Sequence, residues 1–481
     1  MNKKMIFATL GKITVSEAGL MLLPLLVSLI YREWTVALSF LAAIALALVV
    51  GFSLYFSCRT KNKLIFAKEG FIIVAGAWLI MSAIGAIPFE LSGDIPSYID
   101  AFFETVSGFT TTGASALTDV ESLSRGALFW RSFTHWVGGM GVLVFVMALL
   151  PSFSDRSIHI MRAEMPGPIV GKIVPRARQT ARILYVIYFV MTVAEVILLL
   201  LGGMSLFDSL VHAFGTAGTG GFGIKSDSIS SYSSYLQWVI TVFMFLFGVN
   251  FNIYYLMLLK KFKSVFKSGE LWAYVGIAAG ATVAICINIL PSFNSFWDAL
   301  RASAFQVSSI ITTTGYSTVD FNLWPTFSKV ILAALMFTGA CAGSTGGGFK
   351  VTRVVILFKS IKQEIKRMIH PRSVRAIKFE GKVVDKTTLN GVGIYLAVYM
   401  MCLVAVLVAI SFEPFDFETS FSAALSCFNN IGPGFSAVGP MASYAEYTGF
   451  SKIILSFAML FGRLEIYPLL IALTPSTWTK K

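Results

Sequence analysis

The sequence predicts an all-α polytopic membrane protein, with four tandem helix–pore-helix–helix repeats around a pseudo-four-fold pore and two leading transmembrane helices. Three observations carry this expectation. Of 481 residues, 56% are hydrophobic and only 13% charged, with a mean hydropathy of +0.76. A soluble domain carries about a quarter charged residues, so much of this chain faces lipid. Apolar runs such as 72–88 and 184–201 recur along the chain, close to the roughly 20 residues a helix needs to cross the hydrocarbon core. Finally, a shorter apolar segment ending in Gly beside Thr or Asn occurs four times.

Taken in order, the apolar runs place spans at 15–30, 36–57, 69–89, 127–150, 182–203, 235–260, 271–291, 328–358 (interrupted), 388–411 and 451–474, about ten crossings. The net charge of +13 is unevenly placed. Lys3, Lys4 and Lys12 precede the first span, and Arg59, Lys61, Lys63 and Lys68 follow the second. Residues 154–182, Lys260 to Lys267 and the stretch 350–386 are basic, as is the end at Lys480 and Lys481. The opposite loops hold Glu90, Asp94, Asp100, Glu413 and Asp416. Basic residues stay on the cytoplasmic side, so both termini are expected there, in a multi-pass protein of the cytoplasmic (inner) membrane. This alternation accounts for the charge without nucleic acid, which would need clustered base-reading or stacking groups. The five scattered cysteines, none in a CxxC pair, read as small buried hydrophobes.

The four short segments are 99–115, 207–223, 299–317 and 417–436, and their shared glycines are Gly113, Gly221, Gly315 and Gly432. Each interval fits two membrane helices, a re-entrant hairpin and loops. Asp100 and Asp208 precede their glycines by equal distances and suit the N-terminal end of a short helix, where the dipole favours an acid. The following helices repeat too: FSKV–IL at 327–332 matches FSKI–IL at 450–455. The expected division is 1–68 for two N-terminal helices, then pore repeats at 69–153, 154–268, 269–387 and 388–481.

An ion leaving water needs its hydration shell replaced, and rings of backbone carbonyls do this for K⁺. Carbonyls turned inward ask for backbone angles that glycine tolerates and β-branched residues resist. The candidate filter is therefore Thr111, Thr112 and Gly113; Thr219, Gly220 and Gly221; Thr313, Thr314 and Gly315; and Asn430, Ile431 and Gly432, with neighbouring hydroxyls as further oxygens. Four half-helices would aim their partially negative C-terminal ends at the pore and favour a cation. Small residues also serve helix packing in membranes, but four such segments at matching places favour a filter. K⁺ at the filter is the one metal expected.

The eighth span breaks at 339–348, which includes Gly343, Ser344, Thr345, Gly346, Gly347 and Gly348. Each glycine weakens a helix by about 1 kcal/mol against Ala. A nucleotide-binding loop fits poorly, because Phe349 intervenes before Lys350 and no strand precedes it. Arg463 and Glu465 fall inside the last span, where a charge faces a cavity or a partner. The two readings are a structural ion pair and a positive barrier beside the pore at Arg463. Lys350 and Arg353 read either as pore-side charges or as cytoplasmic snorkellers, and Asn250 and Asn252 as partners of the loop or as packing contacts.

The segments TTTGAS, TTTGYS and NNIGPG, with AEMPGP at 163–168 and HPRSVRAIKFEGK at 370–382, resemble the Trk/Ktr/HKT superfamily of potassium transporters, and within it the bacterial Trk-type membrane subunits. The resemblance covers nearly the whole chain. It implies K⁺ preference, since glycine stands at all four filter positions, and it implies that the glycine-rich loop is an intramembrane gate. It also implies a homodimer docked on a cytosolic ring of nucleotide-binding RCK (TrkA-type) subunits. No cofactor is expected in this chain, and nucleotide acts only through that partner. A Na⁺- or H⁺-coupled potassium symporter is the alternative, since broken helices suit that class too. A membrane-embedded enzyme is not expected, because histidines and acids are dispersed.

Overall fold

The computed structural model describes residues 2–60, 66–141, 177–371 and 376–478. The AEMPGP segment, part of the HPR segment, Lys61, Lys63, most of the basic stretch 154–182 and the terminal lysines lie outside the described residues.

Two helices, α1 (Lys3–Leu20) and α2 (Leu22–Ile30), form one leading span, followed by α3 (Trp34–Ser57). The span begins at Lys3 rather than at residue 15, so Lys12 belongs to the helix instead of preceding it; its ammonium lies over the Tyr55 ring. α1 and α3 pack backbone to backbone through Gly11 and Gly51, where an added Cβ would stand 2.5 Å and 2.9 Å from the partner's carbonyl oxygen. Small residues permit such approach, the main source of helix attraction in lipid.

The rest of the chain repeats one plan. The first unit has α4 (Ala67–Ser92), α5 (Tyr98–Phe109) and α6 (Arg125–Gly139); the second has α7 (Ala177–Leu201), α8 (Leu206–Gly218), α9 (Ser234–Phe247) and α10 (Phe251–Leu258). The third has α11 (Gly269–Ile289), α12 (Phe296–Ile311), α13 (Thr326–Thr338) and α14 (Val351–Ile369). The fourth has α15 (Lys386–Ile410), α16 (Phe417–Asn429), α17 (Gly449–Arg463) and α18 (Tyr467–Leu473). Among the described residues, six helices are long and apolar enough to cross a membrane, or seven if the bent pair α9–α10 counts as one.

α5, α8, α12 and α16 are 12, 13, 16 and 13 residues long, roughly 18–24 Å at 1.5 Å per residue, too short to span. Ser97, Ser205, Ser295 and Asp416 cap them, each side chain accepting a backbone N–H of the first turn. The first-turn acid expected at Asp100 and Asp208 recurs at Asp298 and Glu418. Two of these acids also join neighbouring units: Lys452 of α17 pairs with Asp100 at 2.7 Å, and its counterpart Lys329 of α13 pairs with Glu418 at 3.1 Å.

Two expectations about continuity need correction. The sixth span is broken: α9 and α10 meet at 89°, with Asn250 capping α10. The interruption is also not confined to the third unit. α6 ends at Met140 and Gly141, the latter at φ +85°, and α17 ends before Glu465 and Ile466, both at positive φ. Each second helix thus stops at a comparable place, just past its contact with the short helix. There, Gly138 and Gly462 lie so close to Phe109 O and Phe428 O that a Cβ would collide.

The basic stretch after α14 builds a small core. A two-stranded hairpin (Lys378–Phe379 with Lys382–Val383) buries Ile377, Phe379 and Val384 against Ile356 and Val392.

Candidate functional site

Each short helix ends in the same hydrogen-bonded turn. Thr111, Thr219, Thr313 and Asn430 take up φ of +55°, +56°, +61° and +58°. Their N–H groups donate to Gly108 O, Thr216 O, Ile310 O and Cys427 O. The next N–H groups, of Thr112, Gly220, Thr314 and Ile431, reach back to Ser107 O, Gly215 O, Ser309 O and Ser426 O at 2.8–3.0 Å. This is a Schellman closure, which ordinarily places glycine in the left-handed position. Three β-branched threonines occupy it here, against the expectation that only glycine would accept such angles. A non-glycine residue there costs about 1–3 kcal/mol and persists where its surroundings over-determine it.

Two residues later in each segment, Gly113, Gly221, Gly315 and Gly432 also have positive φ, from +75° to +100°. A Cβ on Gly113 would stand closer than 3.0 Å to Gly220 O, one on Gly221 to Thr314 O, one on Gly315 to Ile431 O, and one on Gly432 to Thr112 O. The contacts run from first unit to second, third, fourth and back to the first. Four equivalent glycines and four equivalent carbonyls therefore close one ring, and all twelve sequence-predicted residues of these segments come together in it. Outside the ring lies a vestibule of about 460 Å³, lined by the four glycines together with Arg131, Lys225 and Tyr444.

The threonine hydroxyls are already engaged. Thr112 and Thr314 pair with Thr110 and Thr312 at 2.8 Å, Thr219 donates to Gly218 O, Thr313 accepts from Gly347 N at 2.6 Å, and Thr111 accepts from Arg463 at 3.2 Å. Their work is to hold the backbone from behind, which leaves the carbonyls as the oxygens best suited to an ion.

The glycine-rich loop between α13 and α14 lies directly against this ring. Gly346 is so close to Thr312 O, and Gly347 to Asn429 O, that neither position has room for a Cβ. Lys350 donates to Gly346 O, and Thr345 O accepts from Arg463 at 2.7 Å. Gly343 O accepts from Phe251 N at 3.0 Å, which ties the loop to the start of α10. Gly139, Gly343, Gly346, Gly347, Lys350 and Arg463 enclose about 40 Å³, room for only a few water molecules. Ser344 bonds within the loop, to Cys341 O, and Gly348, at φ +77°, touches Gly339 where the loop re-enters α14.

Arg463 does not pair with Glu465. Its guanidinium bridges the first unit and the loop, donating to Gly138 O and Gly139 O at 2.6 Å besides Thr345 O and Thr111 Oγ1. Glu465 pairs instead with Arg353. Arg353 and Lys350 are buried, so neither is a cytoplasmic snorkeller. Asn250 serves the loop through Glu270, the residue that sequence reasoning missed. Glu270 accepts from Asn250 Nδ2 at 3.2 Å, from Ala342 N at 2.7 Å and from Thr352 Oγ1. Its signal was an acid at the start of a span on an otherwise basic side. Arg131, an arginine inside the fourth span, was missed as well. Among the described residues no cluster of His, Cys, Asp or Glu could hold a metal ion.

A ring of glycine–carbonyl contacts formed by four re-entrant helices, with a loop packed beneath it, defines a membrane protein of the cation-transport class. The family model TrkH, described as a cation transport protein, matches residues 37–271 and 294–480, and this chain belongs to that family. It is 35% identical over 485 residues to the Trk system potassium uptake protein TrkH of Escherichia coli strain K12, covering 99% of this chain and all of that protein. It is 33% identical over 463 residues to TrkG of the same strain, covering 95% of each. The crystal structure of the potassium transporter TrkH from Vibrio parahaemolyticus matches the whole of both chains with a TM-score of 0.89 at 32% identity.

Proposed function

We propose that this chain takes up potassium across the cytoplasmic membrane through a selective, channel-like pore. The observation that carries the proposal is the ring in which each glycine meets the next unit's carbonyl, since such a ring can replace the hydration shell of K⁺. The twelve residues of the four segments act as the filter. The loop from Gly343 to Gly348 acts as the gate, held shut by Thr313, Lys350 and Arg463. Arg463 adds a positive charge that limits ion residence below the filter. The pore repeats divide near residues 69, 154, 269 and 388, and both termini are cytoplasmic. Two copies pair, and a cytosolic nucleotide-binding ring acts on the cytoplasmic hairpin and α14. The relatives' names as potassium uptake proteins support the choice of ion.

The test is growth of a K⁺-uptake-deficient cell at micromolar K⁺. The chain restores growth, and Gly113→Ser or Gly315→Ser abolishes it while the protein is still found in the membrane. Growth unaffected by either substitution refutes the filter assignment.

A further inference from the structure

Contacts across each seam between units brace the ring at its outer mouth. At the second seam the Tyr316 hydroxyl donates to His212 O and Phe222 O, both at 3.2 Å. At the third, Asn322 exchanges two hydrogen bonds with the backbone of Ser436. At the fourth, Tyr444 N donates to Ser115 O at 2.8 Å while its hydroxyl donates to Gly432 O at 2.9 Å. The contacts just named are all neutral; the ion pairs that also cross the third and fourth seams, Lys329 with Glu418 and Lys452 with Asp100, lie at the first turns of α16 and α5 rather than beside the glycines.

The first seam is different. Arg131 of α6 reaches across to the second unit, donating to Gly223 O at 2.9 Å, with its guanidinium 3.6 Å from the centre of the Phe222 ring. Its other side is ion-paired with Glu104 of α5, and both side chains are buried. Glu104 in turn accepts from Ser115 Oγ and from Ala116 N, both at 3.0 Å. One ion pair therefore grips the chain two and three residues beyond Gly113 and, on the other side, the chain one and two residues beyond Gly221. The planar fork of arginine stacks on an aromatic ring while its donors point in fixed directions; an ammonium has three donors but neither the planar face nor the fixed fork. Pairing also cancels a charge that would otherwise face cations entering the vestibule.

We propose that Arg131, oriented by Glu104, is a positioning residue for ion selectivity, which fixes the separation of the first and second glycine segments. The assignment rests on the reading of those segments as the filter. The experiment compares K⁺ and Na⁺ flux through the full-length protein in liposomes for wild type, Arg131→Lys, Glu104→Gln and Gly113→Ser. Arg131→Lys keeps the charge and loses the fork, and the K⁺/Na⁺ flux ratio falls about tenfold, the worth of one charge-assisted hydrogen bond. Glu104→Gln keeps the shape, leaves the arginine unpaired, and lowers both the ratio and the K⁺ rate. Both variants are checked for an unaltered elution volume, and Glu104→Gln carries the test alone if Arg131→Lys does not fold. A wild-type ratio in the folded variants, with Gly113→Ser altered, overturns the proposal and reduces the pair to a structural brace. A wild-type ratio in Gly113→Ser overturns the filter reading itself.

Discussion

On the proposed reading of the loop as gate and the ring as filter, the contact between Thr313 and Gly347 allows gating to be separated from selection. Thr313 Oγ1 accepts the Gly347 N–H at 2.6 Å in a fully buried place. Thr313→Val keeps the β-branched shape at φ +61° and removes only the acceptor. A buried donor left without a partner costs about 1–3 kcal/mol. That cost falls on the closed arrangement alone, because a displaced loop exposes the N–H to pore water. The closed-to-open ratio therefore falls roughly 5- to 150-fold, at about 1.4 kcal/mol per tenfold. Single-channel recording or K⁺ efflux from liposomes, without any cytosolic partner, reads the change. The carbonyls of Thr313 and Thr314 are untouched, so the K⁺/Na⁺ ratio stays at the wild-type value. An unchanged open fraction, or a changed ion ratio at unchanged open fraction, refutes the argument.

Other consequences can be measured more briefly. Gly221→Ala places a Cβ against Thr314 O at φ +75°, and K⁺ preference in competitive uptake with Na⁺ falls with it. Glu465→Gln strips Arg353 of its charged partner in a buried site, a loss of about 3–5 kcal/mol, read as a lower melting temperature in detergent. Cys341 is fully buried beside the loop. With the other four cysteines replaced by Ala, a maleimide labels it slowly in the wild type and faster in Thr313→Val; equal rates contradict a moving loop.

The ring was legible because its parts are local. A short apolar run, a cap and a glycine turn all fall within about twenty residues of one another at four places, and repetition supplies the rest. The threonines at positive φ were not legible, since local propensity argues against them and only the Schellman bonds and the packing beneath hold them there. The break in the sixth span left a trace, Gly248 followed by Asn250, which reads equally well as packing until the capping bond to Asn252 N is seen. Glu270 and the Arg131–Glu104 pair lie beyond sequence reading for another reason. Their partners are fixed only by tertiary folding, as when Ala342 meets Glu270, 72 residues away. The hairpin after α14 was hidden by its charge, which outweighs five apolar residues spread between 356 and 392.

The fourth seam also sets a schedule. Asn430 donates to Thr112 Oγ1 across 318 residues, and Arg463 reaches Thr111 across 352. At about 5–20 residues per second of synthesis, Thr112 is made roughly 16–64 s before the side chain that anchors it. For that interval the first quarter of the pore sits in the bilayer with its last neighbour unmade. A ribosome that stops short of residue 430 releases an arc instead of a circle, in which the Schellman bonds of α5 hold Thr111 at its positive φ without Arg463. On the proposed reading of the ring as a filter, conduction thus waits on completion of the chain.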